Sequence, residues 1–106
     1  MAELLSGTLD LLILRVLNAG PLHGFGISER LHILSKEVLN VEEGSLYPAL
    51  YRMESKGWIE AEWGQSSRGR KAKLYSLTKA GRKQLDAERA SWSKMAVAIG
   101  DVLKNA

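Results

Sequence analysis

Residues 43–77, EGSLYPALYRMESKGWIEAEWGQSSRGRKAKLYSL, contain a helical pattern followed by two short alternating segments. Four apolar residues recur at helical spacing near the start of this stretch: Leu46, Ala49, Leu50 and Met53. Gly57 suits the left-handed position just beyond a helix C-terminus. The pattern therefore predicts a helix that begins between Glu42 and Ser45 and runs to Lys56.

A hairpin is predicted directly after this helix. Ile59, Ala61 and Trp63 alternate with two glutamates, which is the period-two pattern of a half-buried strand. Residues 73–77 predict the returning strand. The intervening residues 64–71 are rich in glycine, serine and basic side chains, which favours a flexible turn. A helix followed by a hairpin with a basic tip is typical of a winged helix-turn-helix.

Pro48 can be accommodated in two ways. If Ser45 is the N-cap, Pro48 falls in the first turn, where a missing backbone N–H costs little. If the helix begins earlier, we expect a distortion at Pro48.

Two further helices precede this stretch. The first is predicted from Gly7 or Thr8 to Asn18 and is apolar almost all round, so it must be covered on more than one side. We expect another subunit to supply part of that cover. The second helix is predicted from His23 or Gly26 to about residue 35. Four residues are its candidate inward positions: Phe25, Ile27, Leu31 and Leu34.

A long helix is predicted at the end of the chain, capped by Thr78 and running to about Lys104. Leu85, Trp92 and Ile99 recur every seven residues, which suits a helix packed along another helix. At 1.5 Å per residue this helix extends roughly 39 Å, more than the rest of the chain can cover. We therefore expect a homodimer, whose predicted interface comprises Leu9, Leu12, Leu85, Trp92, Ile99, Val102 and Leu103.

The predicted fold is mainly α with a small β-hairpin: a winged helix-turn-helix domain (residues 1–77) followed by a C-terminal dimerisation helix (residues 78–106). In such folds the helix before the wing enters the DNA major groove. On that helix the predicted DNA-binding residues are Ser45, Tyr47, Pro48, Tyr51 and Arg52. In the wing they are Arg68, Arg70, Lys71 and Lys73, whose cations could bind phosphates.

The charge distribution agrees with a polyanion contact at the wing. Seven basic residues and no acidic residue lie between Gln65 and Lys83, whereas the first 64 residues carry nine acids and five bases. Cysteine is absent, which excludes disulfides and thiolate sites. The composition offers no catalytic constellation, metal-ligand spacing, cofactor motif or membrane span. We therefore expect a cytoplasmic protein that is not an enzyme and needs no cofactor or metal.

Three segments together resemble the PadR family of bacterial transcriptional regulators. These are residues 43–59 with their Leu-Tyr-Pro triplet, residues 69–81 (GRKAKLYSLTKAG), and residues 23–27 (HGFGI). The single C-terminal helix is similar to the short subgroup of that family. The resemblance implies a homodimer, joined through its first and last helices, that represses transcription from a palindromic operator on double-stranded DNA.

The resemblance also suggests a small aromatic effector as a partner. In some short members a tryptophan on the last helix faces a cleft between subunits that binds flat aromatic compounds. Trp92 occupies the corresponding position, and Met95 lies one turn further on, so both are predicted ligand-binding residues.

Several alternatives stay open at the level of sequence. Tyr47 and Tyr51 could be half-buried packing residues, and the basic tip could be a solvated loop. Trp92 could belong to the dimer core and bind no ligand. Winged helices also serve as protein–protein interaction modules without DNA binding, which is the rival function.

Overall fold

The computed structural model describes residues 7–65 and 69–106. Its elements, in chain order, are α1 (Thr8–Asn18), β1 (Leu22–His23), α2 (Gly24–Leu34), α3 (Glu43–Ser55), β2 (Ile59–Gln65), β3 (Lys71–Leu77) and α4 (Lys79–Asn105). The four helices and the hairpin confirm the predicted winged helix-turn-helix with a long last helix. The division into two domains, at residue 77, stays a prediction.

The strands form one antiparallel sheet in the order β1-β3-β2. In the wing, the β2–β3 hairpin, Ile59 pairs with Leu77 and Gln65 pairs with Lys71. β1 adds two residues on the other side of β3, where Leu22 pairs with Tyr75. The sequence pattern did not predict β1. This short strand fixes the root of the wing against the N-terminus of α2.

The core lies between the first three helices, the sheet and the start of α4. Its largest fully buried side chains are Ile13, Leu14, Ile27, Leu46, Leu50, Met53, Ile59 and Leu85. The predicted stripe of α3 is confirmed, because all four of its members are buried. Removing these side chains from water supplies the main favourable term for folding, roughly 1.5–3 kcal/mol for each large apolar residue.

α3 begins one turn earlier than a cap at Ser45 would allow. Glu42 is its N-cap and Ser45 lies inside the first turn. Pro48 is therefore the sixth helical residue, yet the helix continues through it to Ser55. Pro48 and Gly44 are both exposed, so water can reach the Gly44 carbonyl that lacks its usual N–H partner.

The junction between the wing and α4 is tightly hydrogen-bonded. The Thr78 hydroxyl donates to the Gly57 carbonyl at 2.6 Å and accepts from the Gly81 N–H at 3.0 Å, which confirms Thr78 as the N-cap. The Thr78 N–H donates to the Trp58 carbonyl at 3.1 Å. The C-terminus of α3 and the N-terminus of α4 are therefore joined through one threonine.

Four predicted inward or interface positions need correction. Phe25 and Leu34 on α2 are 68% and 58% exposed, and Trp63 on β2 is 62% exposed, so none of them lies in the core. Leu85 is 1% exposed inside its own subunit and has no surface to offer a dimer partner. Phe25 and Leu34 are exposed because the core covers α2 on one side only. Leu85 is buried because the first turns of α4 pack on α1.

α1 is also covered more completely by its own chain than predicted. Six of its eleven residues are buried within the subunit. Leu9 and Leu12 are partly exposed and pack at the edge of the core. Leu9 and Leu12 therefore keep exposed apolar surface on α1, and their place in a dimer interface stays a prediction.

The second half of α4 extends beyond the core. Every residue from Arg89 onward is exposed, and the molecule is 54 Å long but only 29 Å and 21 Å across. The exposed apolar side chains on this segment are Trp92, Met95, Val97, Ile99, Val102 and Leu103.

Candidate nucleic-acid interface

A groove of about 1130 Å³ lies between the start of α2, one flank of α3 and the wing. It contains five of the nine predicted DNA-binding residues: Tyr47, Tyr51, Arg70, Lys71 and Lys73. These residues come from two different elements, α3 and the wing, and the fold brings them to one surface. Arg68 lies outside the described residues.

The α3 side of this groove is formed by two tyrosines one helical turn apart. Tyr51 is 75% exposed and Tyr47 is 43% exposed, so neither is a core residue. The ring of Tyr47 lies against Gly24, where an added Cβ would stand 2.7 Å from the tyrosine oxygen. A glycine at this position therefore lets the start of α2 approach α3 and holds the Tyr47 ring at the groove wall.

The wing side of the groove carries the cations. Arg70 and Lys71 are exposed, and neither has a carboxylate partner among the described residues. Lys73 differs, because its Nζ lies 3.6 Å from Glu54 Oε1 on α3 and its charge is partly balanced there. The available positive charge is therefore concentrated at the tip of the hairpin, where it can meet phosphates.

Two predicted residues of α3 are exposed but do not line the groove. Ser45 and Pro48 lie on the outer surface of the helix, adjacent to the face that carries Tyr51. Their position is compatible with approach to a DNA major groove from outside the cavity. Their contact with DNA stays a prediction.

Arg52 has an intramolecular partner, and its predicted contact with DNA stays a prediction. Its Nη2 donates to Asp10 Oδ1 on α1 at 2.5 Å, and its side chain is about half exposed. The sequence gives no sign of this pairing, since the two residues are 42 positions apart. The guanidinium thus has an intramolecular partner on α1, and Arg52 does not line the groove.

Two aromatic residues of the groove were missed as site residues. Phe25, on the first turn of α2, and Trp63, on β2, both line it. The Nζ atoms of Lys71 and Lys73 lie 5.4 Å and 5.5 Å from the centre of the Trp63 ring, within cation–π range. The strand alternation assigned Trp63 to the core. Lys71 and Lys73 on the returning strand are the sequence feature that favoured an exposed position for Trp63.

Tyr75 on β3 also lines the groove, at a position paired with β1. Burial raises the pKa of the Tyr75 phenol, and the nearby Glu54 and Tyr47 raise it further. A raised pKa keeps the phenol protonated and neutral. Beside it, His23 Nδ1 donates to the Lys73 carbonyl at 3.0 Å, which ties the start of α2 to the wing.

The predicted effector residues lie elsewhere on the molecule. Trp92 and Met95 are 46% and 53% exposed on the part of α4 that extends beyond the core. Over residues 7–65 and 69–106, no three histidine, cysteine or acidic side chains come together as a metal site. None of the helices in those same ranges is long and apolar enough to cross a membrane.

A winged helix with an exposed tyrosine-bearing helix and a basic hairpin tip defines a class, that of winged helix-turn-helix transcriptional regulators. Residues 13–87 match the model of the transcriptional regulator PadR-like family. The chain belongs to this family, as the resemblance implied.

The chain is also similar to individual proteins. A PadR-like transcriptional regulator from Bacillus cereus is 30% identical with a TM-score of 0.81, and the match covers 99% of this chain and 100% of that one. A transcriptional regulator from Clostridium thermocellum is 27% identical with a TM-score of 0.82, covering 90% and 92%. An uncharacterized protein from Lysinibacillus sphaericus is 30% identical over 94 residues, covering 89% of this chain and 86% of its own.

Proposed function

We propose that this PadR-like regulator is a homodimeric repressor that binds a palindromic operator in double-stranded DNA. One observation carries the proposal: Tyr47 and Tyr51 of α3 and the exposed cations Arg70 and Lys71 of the wing lie on one surface. Tyrosine hydroxyls can donate to phosphates or bases, and the cations can neutralise phosphates. α3 then enters the major groove while the wing follows the adjacent backbone.

The surface of α4 supports the dimer. Gly81 and Leu85 are buried against the subunit's own core, and the same face of the helix continues through Trp92, Met95 and Ile99 without cover. When an apolar helix face is buried at one end and exposed at the other, a second chain is expected to cover the exposed part. The partly exposed leucines of α1 extend this surface.

The dimer sets the spacing of the operator. Two copies of α3 in successive major grooves on one side of the duplex stand roughly 34–36 Å apart, or a multiple of that distance. A two-fold axis relating the subunits requires a palindromic site. Occupation of such a site at a promoter would exclude polymerase, which is the basis of the proposed repression.

The proposal is tested by an electrophoretic shift on the DNA upstream of the protein's own gene. We expect a shift by the wild-type chain, and its loss in Tyr47→Ala and in the double variant Arg70→Glu/Lys71→Glu. Lys94→Glu is the control, because Lys94 is an exposed cation on α4, outside the groove. A protein-interaction module without DNA binding would give no shift even as the wild-type chain, and that result would favour the rival function.

A small aromatic effector is the second part of the proposal. Trp92 and Met95 offer an exposed aromatic and a polarizable side chain on the proposed dimer surface, where a flat apolar molecule could stack. Titration with planar aromatic compounds should quench tryptophan fluorescence and release bound DNA. Since Trp58 and Trp63 also emit, the Trp92→Ala variant is the control, and full quenching in it would exclude Trp92 from the effector site.

A further inference from the structure

Asp10 is buried in the apolar helix α1. Among the residues that the structure describes, Asp10 is the only charged residue whose side chain is buried, and it is 6% exposed. A carboxylate in such a place destabilises a fold unless a cation pairs with it. Its neighbours on α1 are leucines, so the compensating charge must come from another element.

Arg52 supplies that charge from α3. The guanidinium donates to the Asp10 carboxylate, and the carboxylate side chain is 8% exposed while the arginine side chain is 48% exposed. The pair therefore links the buried interior of α1 to the solvent-facing edge of the helix that is proposed to read DNA.

The two edges of α3 are held by different contacts. At one edge the Tyr47 ring lies against Gly24 of α2. At the other edge, five residues later and about 140° further round the helix, Arg52 binds Asp10 of α1. Tyr51 lies on the exposed surface of the same helix. Rotation of α3 about its own axis would break one contact or the other.

From this arrangement we infer that Asp10 and Arg52 are positioning residues for DNA reading: their ion pair fixes the rotation of α3 and joins it to α1. The inference rests on the proposed function. Asp10 lies between Leu9 and Leu12, the two α1 residues assigned to the dimer surface. The pair thus connects the dimer surface to the recognition helix through one contact.

The alternative for Arg52 is direct binding of a phosphate, and the two roles predict different behaviour of Asp10. If the pair positions α3, loss of the carboxylate and loss of the guanidinium weaken the same interaction. If Arg52 binds a phosphate, removal of Asp10 frees the guanidinium and leaves DNA affinity unchanged or higher. Asp10 is buried and cannot reach DNA, so its substitution separates the two roles.

The experiment measures the affinity of the full-length chain for two duplexes. One, the selected duplex, carries the sequence recovered by selection from random duplex DNA, and the other is unrelated to it. Both are titrated between about 50 and 200 mM salt, the range over which phosphate contacts change affinity strongly. The variants are Asp10→Asn, Arg52→Gln, Arg52→Lys and the double variant Asp10→Asn/Arg52→Gln. We expect each of the first two to reduce affinity for the selected duplex about tenfold, within the usual range of coupling between contacting residues. The double variant should be no weaker than either single variant.

Two further readouts separate positioning from phosphate binding and from general loss of structure. The slope of log affinity against log salt should be unchanged in Asp10→Asn and Arg52→Gln, whereas removal of a phosphate-binding side chain lowers it by about one per site. Binding to the unrelated duplex should also be unchanged. Arg52→Lys keeps the charge beside Asp10 and should recover part of the affinity.

Three results would overturn the inference. They are full affinity in Asp10→Asn, a reduced salt slope in Arg52→Gln, or additive effects in the double variant. If Asp10→Asn does not fold, as judged by circular dichroism at the assay temperature, the salt slope of Arg52→Gln and the recovery in Arg52→Lys decide the question. Absence of any duplex binding by the wild-type chain would instead overturn the proposed function.

Discussion

At the scale of single residues, Gly24 controls the position of the tyrosine that the proposed interface needs most. An added Cβ there would meet the Tyr47 ring at 2.7–3.0 Å, so the ring must move. We expect Gly24→Ala to lower DNA affinity about tenfold, the size of one base interaction, with a stability loss of only about 1 kcal/mol. Fluorescence anisotropy of a labelled duplex measures the DNA affinity, and urea unfolding measures the stability.

Gly26→Ala is the matched control, two residues further along the same helix. Its added Cβ would lie 3.5 Å from Leu22, an ordinary van der Waals distance. Equal reductions of affinity in the two variants would contradict the assigned role of Tyr47.

A second glycine supports the fold and not the interface. A Cβ at Gly81 would stand 1.9 Å from the Trp58 carbonyl oxygen, which belongs to backbone already fixed by Thr78. We expect Gly81→Ala to lower the free energy of unfolding by about 3 kcal/mol. Urea unfolding followed by circular dichroism checks this value. Gly100→Ala, where an added Cβ has open space, should not destabilise the chain.

At the scale of elements, the wing is predicted to act through charge alone. Arg70→Ala/Lys71→Ala should reduce affinity for specific and unrelated duplexes alike, and should lower the salt slope by about 0.9 for each phosphate that is no longer neutralised. Binding isotherms at several salt concentrations measure the slope. Lys94→Ala should leave it unchanged. A wing variant that had no specificity but kept the wild-type slope would show that these side chains read bases.

The helices and the hairpin could be predicted from sequence because their signals are local. A nearly continuous apolar run defined α1, apolar spacing defined α3, and Thr78 defined the start of α4. β1 has two residues and no period, so no pattern could identify it. One of the two interpretations of Pro48 places the start of α3 too late, since proline favours a first-turn position but is tolerated here at an exposed position of the helix.

The site could be predicted only in part, because some of its contacts join distant parts of the chain. Tyr47, Tyr51, Arg70 and Lys71 followed from the order of elements, and the structure places them on one groove. The pairing of Arg52 with Asp10 depends on how α1 packs against α3. The spacing of residues along the chain does not predict that packing. The expectation for Trp63 was wrong for a similar reason: the end of a two-stranded wing extends beyond any core that could bury it.

At the scale of the whole molecule, the proposed dimer depends on the apolar face of α4. Ile99 lies on the face of α4 that continues from the buried Leu85, whereas Val97 is exposed on the opposite face. We expect Ile99→Asp to weaken the dimer by about 100-fold or more, because symmetry places two unpaired charges in one apolar interface. Sedimentation equilibrium measures the change. Val97→Asp should dimerise as the wild type does.

A single surface formed by α3 and the wing, presented twice by a symmetric dimer to duplex DNA, is the central claim. Selection of bound sequences from random duplex DNA by the full-length chain tests it most directly. We predict a palindromic consensus whose half-sites are about 10 base pairs apart or a multiple of that distance. Recovery of sequences with no shared motif, or of a single half-site without symmetry, would contradict it.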